Sequence, residues 1–158
     1  MNRHPKTDGH LDHALHFPPR LTFDLGASTG SYSNGASSLS YSELNVGLNA
    51  FFAHWLDWRN ALFARFVSGG TNVFGLDSSV RGILTLGDSE LGATLFAGPG
   101  WRFANTGDHV PFLEGGAVFN IRGVALGAGV RSFQRSWVGS SLSNDLQYFI
   151  ILSGGGSL

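Results

Sequence analysis

Three groups of residues in this sequence have the chemistry to act, and each depends on the element that would hold it. His10, His13 and His16 recur every three residues beside Asp8 and Asp12, and neutral imidazoles with carboxylates are competent ligands for a divalent cation. They fall in residues 1–20, a stretch with three prolines and mixed charges. That composition reads as a flexible tail that is weakly metal-attractive, so no metal or other cofactor is expected. Gly26-Ala27-Ser28-Thr29-Gly30 matches GxSxG, but a nucleophile elbow needs a strand that turns sharply into a helix, and here a Gly/Ser-rich stretch follows. Gly87-Asp88-Ser89-Glu90-Leu91 echoes the start of an esterase motif with the wrong fourth residue. The third group is a set of charges: Asp24, Glu43, Asp77 and Glu114 with Arg59, Arg65, Arg81, Arg102 and Arg131. All of them fall on one face of a repeating pattern.

That pattern is apolar alternation with period two, the mark of strands with unlike faces. Eight strands are expected, near 21–30, 39–53, 59–68, 75–86, 91–103, 110–121, 124–134 and 145–153. In the second, Leu44, Val46, Leu48, Ala50 and Phe52 oppose Glu43, Asn45, Gly47, Asn49 and Phe51. In the fifth, Leu91, Ala93, Leu95, Ala97, Trp101 and Phe103 oppose Gly92, Thr94, Gly98, Gly100 and Arg102. An aromatic-rich helix over 47–66 competes locally, since short apolar runs fit either element. Elsewhere glycine excludes helices, at about 1 kcal/mol for each interior Gly relative to Ala.

Composition decides which face meets what. The 158 residues hold 23 glycines and only 13% charged residues, with ten basic against eleven acidic for a net charge of −1. No field of one sign draws the chain to nucleic acid. Lys6 is followed by no other lysine, and the remaining nine cations are arginines, the residue suited to buried, paired positions. The lack of cysteine removes disulfides and thiolate chemistry. No apolar run reaches the ~18 residues of a spanning helix, and the first twenty residues lack the apolar core of a signal peptide. If the protein is exported, its signal lies outside this sequence.

A barrel with the apolar face inside would be a soluble lipocalin-like cup around a small hydrophobic ligand, with an outside of Gly, Ser and Thr. With the apolar face outward it would sit in lipid or detergent. Small polar residues would then fill a narrow interior too tight for bulky side chains. The glycines favour lipid. So do the connections, which alternate between longer ones (31–38, 69–74, 104–109, 135–145) and shorter ones (55–58, 87–90, 122–123). Trp55 and Trp58 fall at one end and Trp101, Phe103 and Trp137 at the other, where aromatic girdles are expected.

With these features the chain resembles the small eight-stranded outer-membrane barrels of the OmpA transmembrane-domain and OmpX type. The likeness covers residues 21–153 and is one of architecture. It implies an all-β, eight-stranded antiparallel up-and-down transmembrane barrel over 21–158, a periplasmic tail over 1–20, a monomer in a bacterial outer membrane, and an interior plugged by salt bridges. One departure concerns the end of the chain. Such barrels usually finish on an aromatic residue, whereas this one runs past Tyr148, Phe149 and Leu152 into GGGSL; Leu158 keeps the outward parity, as an unusual terminal signal or a trimmed end.

A tight turn at Arg122-Gly123 would pair Ile121 with Val124 and so set Glu114 opposite Arg131. The expected role is non-enzymatic: a structural or anchoring barrel, or a platform binding a partner through loops 31–38 and 135–145 or through the tail. A narrow channel through the charged groups is the second reading. A lipid-modifying enzyme is the third, since some such barrels act on lipid A with Ser, His and a carboxylate. It is weakened by His54 and His109 falling at opposite ends.

Overall fold

The computed structural model describes residues 20–33, 38–87, 91–121, 124–139 and 145–154. Eight strands, β1 (Arg20–Ser33), β2 (Ser38–Ala53), β3 (Leu56–Val67), β4 (Val73–Gly87), β5 (Leu91–Ala104), β6 (Val110–Ile121), β7 (Val124–Phe133) and β8 (Asp145–Gly154), follow one another around the sheet. Every neighbouring pair is antiparallel, and β8 closes on β1. The fold is thus an eight-stranded antiparallel up-and-down barrel. The run 47–66 is strand, turn, strand, so tertiary pairing overrides any helical tendency there.

Register fixes the barrel's dimensions. Partners followed from Ile83 through Phe96, Gly116, Gly129, Phe149, Ser28, Glu43 and Arg65 lead back to β4 at Val73, so one circuit climbs from position 83 to position 73. With ~3.3 Å per residue and ~4.8 Å between strands, that stagger corresponds to a tilt of about 40° and a backbone radius of about 8 Å. Side chains can fill such an interior. Ile121 pairs with Val124 and Glu114 faces Arg131, the register that a two-residue turn imposes.

The hydrophobic pattern is inside out relative to a soluble protein. Leu25, Leu62, Leu91, Phe119, Leu126 and Ile150 are among the exposed apolar side chains, whereas Asp24, Glu43, Asp57, Arg59, Asp77 and Arg102 are buried. On β2 the outward apolar run from Leu44 to Phe52 spans about 20 Å along the axis at this tilt, close to the ~25 Å apolar band of membrane barrels. Apolar side chains in this number and continuity face hydrocarbon, and closure of the sheet leaves no open edge there. The protein is a transmembrane β-barrel.

The interior departs from the expectation that bulky side chains are excluded. Phe63, Phe96, Phe112 and Phe133 are buried, with Tyr41 and Phe149. Space for them comes from glycines directly across the ladder: Phe63 faces Gly75, Phe96 faces Gly116, Phe112 faces Gly100, Phe149 faces Gly129 and Tyr41 faces Gly30. A Cβ at Gly100 would lie 2.3 Å from the Phe112 ring, and one at Gly129 2.5 Å from that of Phe149. At these five positions glycine is required because a ring lies on it.

The loop-side connections also differ from expectation. β1 runs to Ser33 and β2 starts at Ser38, so Ser31, Tyr32, Ser33 and Ser38 of the expected 31–38 loop are paired strand. Between β7 and β8 a short 3-10 helix, Arg135–Val138, is closed by Gly139 in the left-handed region (φ 70°).

Two glycines separate the roles. At Gly116 a Cβ would meet the Ala128 carbonyl oxygen at 2.5 Å and the Phe96 ring at 2.8 Å, whereas the nearest atom to a Cβ at outward-facing Gly82 is 3.7 Å away. Gly116→Val is therefore expected to destabilise the barrel by about 1–3 kcal/mol or more, while Gly82→Ala leaves stability within about 0.5 kcal/mol. Urea unfolding in lipid vesicles, followed by tryptophan fluorescence, measures both.

Candidate functional site

The polar interior consists of three connected groups. Near the short-turn end, Arg59 holds Asp24 through two nitrogens (Nε–Oδ2 3.0 Å, Nη2–Oδ1 2.6 Å) and donates to Asn45 Oδ1. Arg81 grips Asp57, its direct cross-strand partner, through Nε at 3.0 Å and Nη2 at 2.5 Å. Asn49 joins the pairs, donating to Asp24 Oδ2 and accepting from Arg81 Nη2, both at 2.9 Å.

Arg102 centres the second group. Its guanidinium reaches both oxygens of Asp77 at 2.6 Å and both of Glu43 at 2.8 Å, using every nitrogen. Arg65 donates to Glu43 Oε2 at 2.9 Å. Arg131 donates to Glu114 Oε2 and to Asp77 Oδ2, both at 2.7 Å, and Ser79 donates to Glu114 Oε1 at 2.6 Å. Gln147 accepts from Arg131 at 3.3 Å and donates to Ser28 Oγ at 2.8 Å. Pairing of directly opposite residues (Glu43 with Arg65, Asp77 with Arg102, Glu114 with Arg131) comes from register alone. Contacts from Arg102 to Glu43 and from Arg131 to Asp77 then cross the lumen.

A third group caps the loop end. Asp145 accepts from Tyr41 Oη at 3.0 Å and from Arg135 Nε at 3.3 Å, and Arg65 Nη1 approaches it at 3.9 Å. Arg135 also pairs with Asp108. Rings line the cations: the Arg65 guanidinium carbon lies 3.7 Å from the Tyr41 ring centroid, and that of Arg102 lies 3.8 Å from Phe63 and 4.5 Å from Phe133. Arg65 Nη2, the one buried side-chain nitrogen or oxygen without a hydrogen bond among the described residues, belongs to this stacked guanidinium.

All nine charged residues expected on the inward face thus lie inside the barrel in ion pairs. Asp57, Asp145 and Arg135 are further buried members. Asp57 lies outside a strand started at residue 59, but β3 begins at Leu56, and Asp57 shares the parity of Arg59. Asp145 shares that of Gln147, so its inward direction was available in the alternation. Arg135 belongs to the 3-10 helix, where period two gives no signal.

Trp55, Trp101, Phe103 and Trp137 are exposed, as is Trp58, but Trp58 donates its indole N–H to the outward hydroxyl of Ser78 at 2.8 Å. Its polar end is thus engaged within the apolar surface. His54 lies in the β2–β3 turn and His109 in the β5–β6 connection, at opposite ends. His10, His13 and His16 lie outside the described residues, and among the described residues no three His, Cys, Asp or Glu side chains gather as a metal site.

Between the first two groups is a cavity of about 10 Å³ lined by Asn45, Arg59, Arg81, Glu114, Arg131 and Gln147. A single water needs about that much room.

No family model and no curated protein matches the chain. Among solved structures it is similar to a de novo designed transmembrane β-barrel, with 14% identity over 84% of this chain and 94% of that one and a TM-score of 0.47. It is also similar to Ail, the attachment invasion locus protein of Yersinia pestis, solved with the heparin analogue sucrose octasulfate. There identity is 10% over 88% of this chain and 98% of that one, with a TM-score of 0.49. In architecture the chain is of the small eight-stranded transmembrane-barrel class that its residues resemble.

The network predicts asymmetric mutational behaviour. Arg81→Met strands the Asp57 carboxylate and is expected to cost about 3–5 kcal/mol, while Arg81→Met with Asp57→Leu removes both charges and recovers most of it. Equilibrium unfolding of the two variants beside the parent makes the comparison.

Proposed function

We propose that the protein is an integral barrel of a bacterial outer membrane, non-enzymatic, with a lumen closed by its ion-pair network. It serves as a structural or anchoring element that presents its loop end to partners. The observation that carries this reading is the filled interior: guanidiniums and carboxylates occupy it in mutual contact, and the cavity between the first two groups measures about 10 Å³. A chain of waters needs far more room, which weighs against the channel.

The two ends are unequal. Two residues join β2 to β3, and eleven separate β7 from β8; outer-membrane barrels place short turns in the periplasm and long loops outside. β1 starts at the short-turn end, where Arg20 pairs with Phe51. Residues 1–20 would then be a periplasmic segment ahead of the barrel domain. The aromatic side chains Trp55, Trp101, Phe103 and Trp137 are suited to the two interfaces, and the 3-10 helix after β7, with Trp137 67% exposed, offers a surface at the loop end.

The test is reconstitution. The chain refolded in detergent should migrate differently on a denaturing gel before and after boiling, with β-structure that requires detergent. In planar bilayers it should give no current steps. Monodisperse folded protein in plain buffer would overturn the membrane reading, and regular conductance steps would overturn the closed lumen in favour of a narrow channel.

A further inference from the structure

The lipid-facing surface is apolar at almost every outward position, and one amide breaks the rule. Asn60 lies on β3 with outward parity, between Trp58 and Leu62 along the strand. Its cross-strand partners are Leu48 on β2 and Ser78 on β4. Leu48, Trp58, Leu62 and Val80 around it are exposed apolar side chains, so the amide lies within the hydrocarbon-facing belt, only partly buried.

Its neighbours do not satisfy it. The Ser78 hydroxyl accepts the Trp58 indole N–H, and among the described residues no hydrogen bond is formed by the Asn60 side chain. An amide in hydrocarbon has two donors and an acceptor oxygen with no water to receive them. Asn45 and Asn49, by contrast, point inward and are bonded to arginines.

A second observation lies beside it. Gly82, outward on β4, faces Leu56 on β3, and a Cβ there would meet nothing closer than 3.7 Å. Lumen-facing glycines such as Gly100, Gly116 and Gly129 lie under rings, and Gly26 and Gly47 lie under the Asn45 and Asp24 side chains. Gly82 has no such ring, and a small outward residue in a membrane segment permits close approach from outside.

We propose that the β3–β4 face around Asn60, Ser78 and Gly82 is an intramembrane contact surface for a second copy of this chain, with the Asn60 amides paired across a two-fold axis. The occupant follows from the chemistry. A carboxamide carries donor and acceptor together, so it is complementary to itself, as an isologous interface requires. An acyl chain offers neither group. This departs from the monomer expected from sequence, and it does not depend on what the loops bind.

The experiment is sedimentation equilibrium in density-matched micelles, with folding of each variant verified by heat-dependent gel mobility. The parent should show a monomer–dimer equilibrium. Asn60→Leu should weaken the association constant about five- to thirty-fold, the range of an interhelical-type amide hydrogen bond in a membrane. Asn60→Gln, which keeps the amide, should retain most of the affinity, and Leu126→Ala on the opposite side of the barrel should not alter it. A parent that stays monomeric at every concentration would sink the proposal. So would Asn60→Leu dimerising as tightly as the parent, since either the contact lies elsewhere or the amide has no part in it.

Discussion

A closed sheet of about 8 Å radius surrounded by lipid has to be filled, and its filling has to be close to neutral. Most of the structure follows from that requirement. Six buried carboxylates (Asp24, Glu43, Asp57, Asp77, Glu114 and Asp145) accompany six buried arginines (Arg59, Arg65, Arg81, Arg102, Arg131 and Arg135). Arginine suits the task better than lysine. Its planar fork engages two carboxylates at once, as Arg102 does with Asp77 and Glu43, and its faces lie against rings. A lysine offers a strongly hydrated point charge, and the sequence after residue 6 contains none.

Buried ion pairs are weak evidence of net stability, because desolvation offsets much of the attraction. Their stronger contribution here is to register. A one-residue slip between two strands carries each inward side chain to the outer face, which would place Glu43 or Arg102 in hydrocarbon. The glycines act in the same direction sterically. Phe112 lies over Gly100 and Phe96 over Gly116, and a β5–β6 ladder shifted by one or two residues would set at least one of those rings against a residue that has a side chain.

Much of this was legible in the alternation. Strand number, inward charges, the pairing of Glu114 with Arg131 and the outward apolar face all derive from period two and one two-residue turn. The aromatic interior was not, because Phe63, Phe96 and Phe149 follow inward parity while their hydrophobicity argues for lipid. Only register shows that each has a glycine opposite. Arg135 was hidden for another reason: it lies in a connection, and its burial arises from Asp145 and Asp108, neighbours that no local pattern brings together. Ser31, Ser33 and Ser38 read as loop from their hydroxyls, yet their paired backbone extends the hairpin past the apolar belt, where water tolerates hydroxyls on both faces.

One outward position is not explained by folding. In the lumen, charges with opposite charges and rings with glycines each have a physical partner inside the chain. On the outside, apolar residues are matched to lipid and Trp58 N–H is matched to Ser78. Asn60 has no hydrogen-bond partner among the described residues, although replacing it by leucine would complete the belt at no steric cost visible at an outward position. Folding alone gives no reason for an amide at that place. A reason has to come from outside the barrel, and at mid-strand in hydrocarbon the group that meets an amide's donors and acceptors together is another amide.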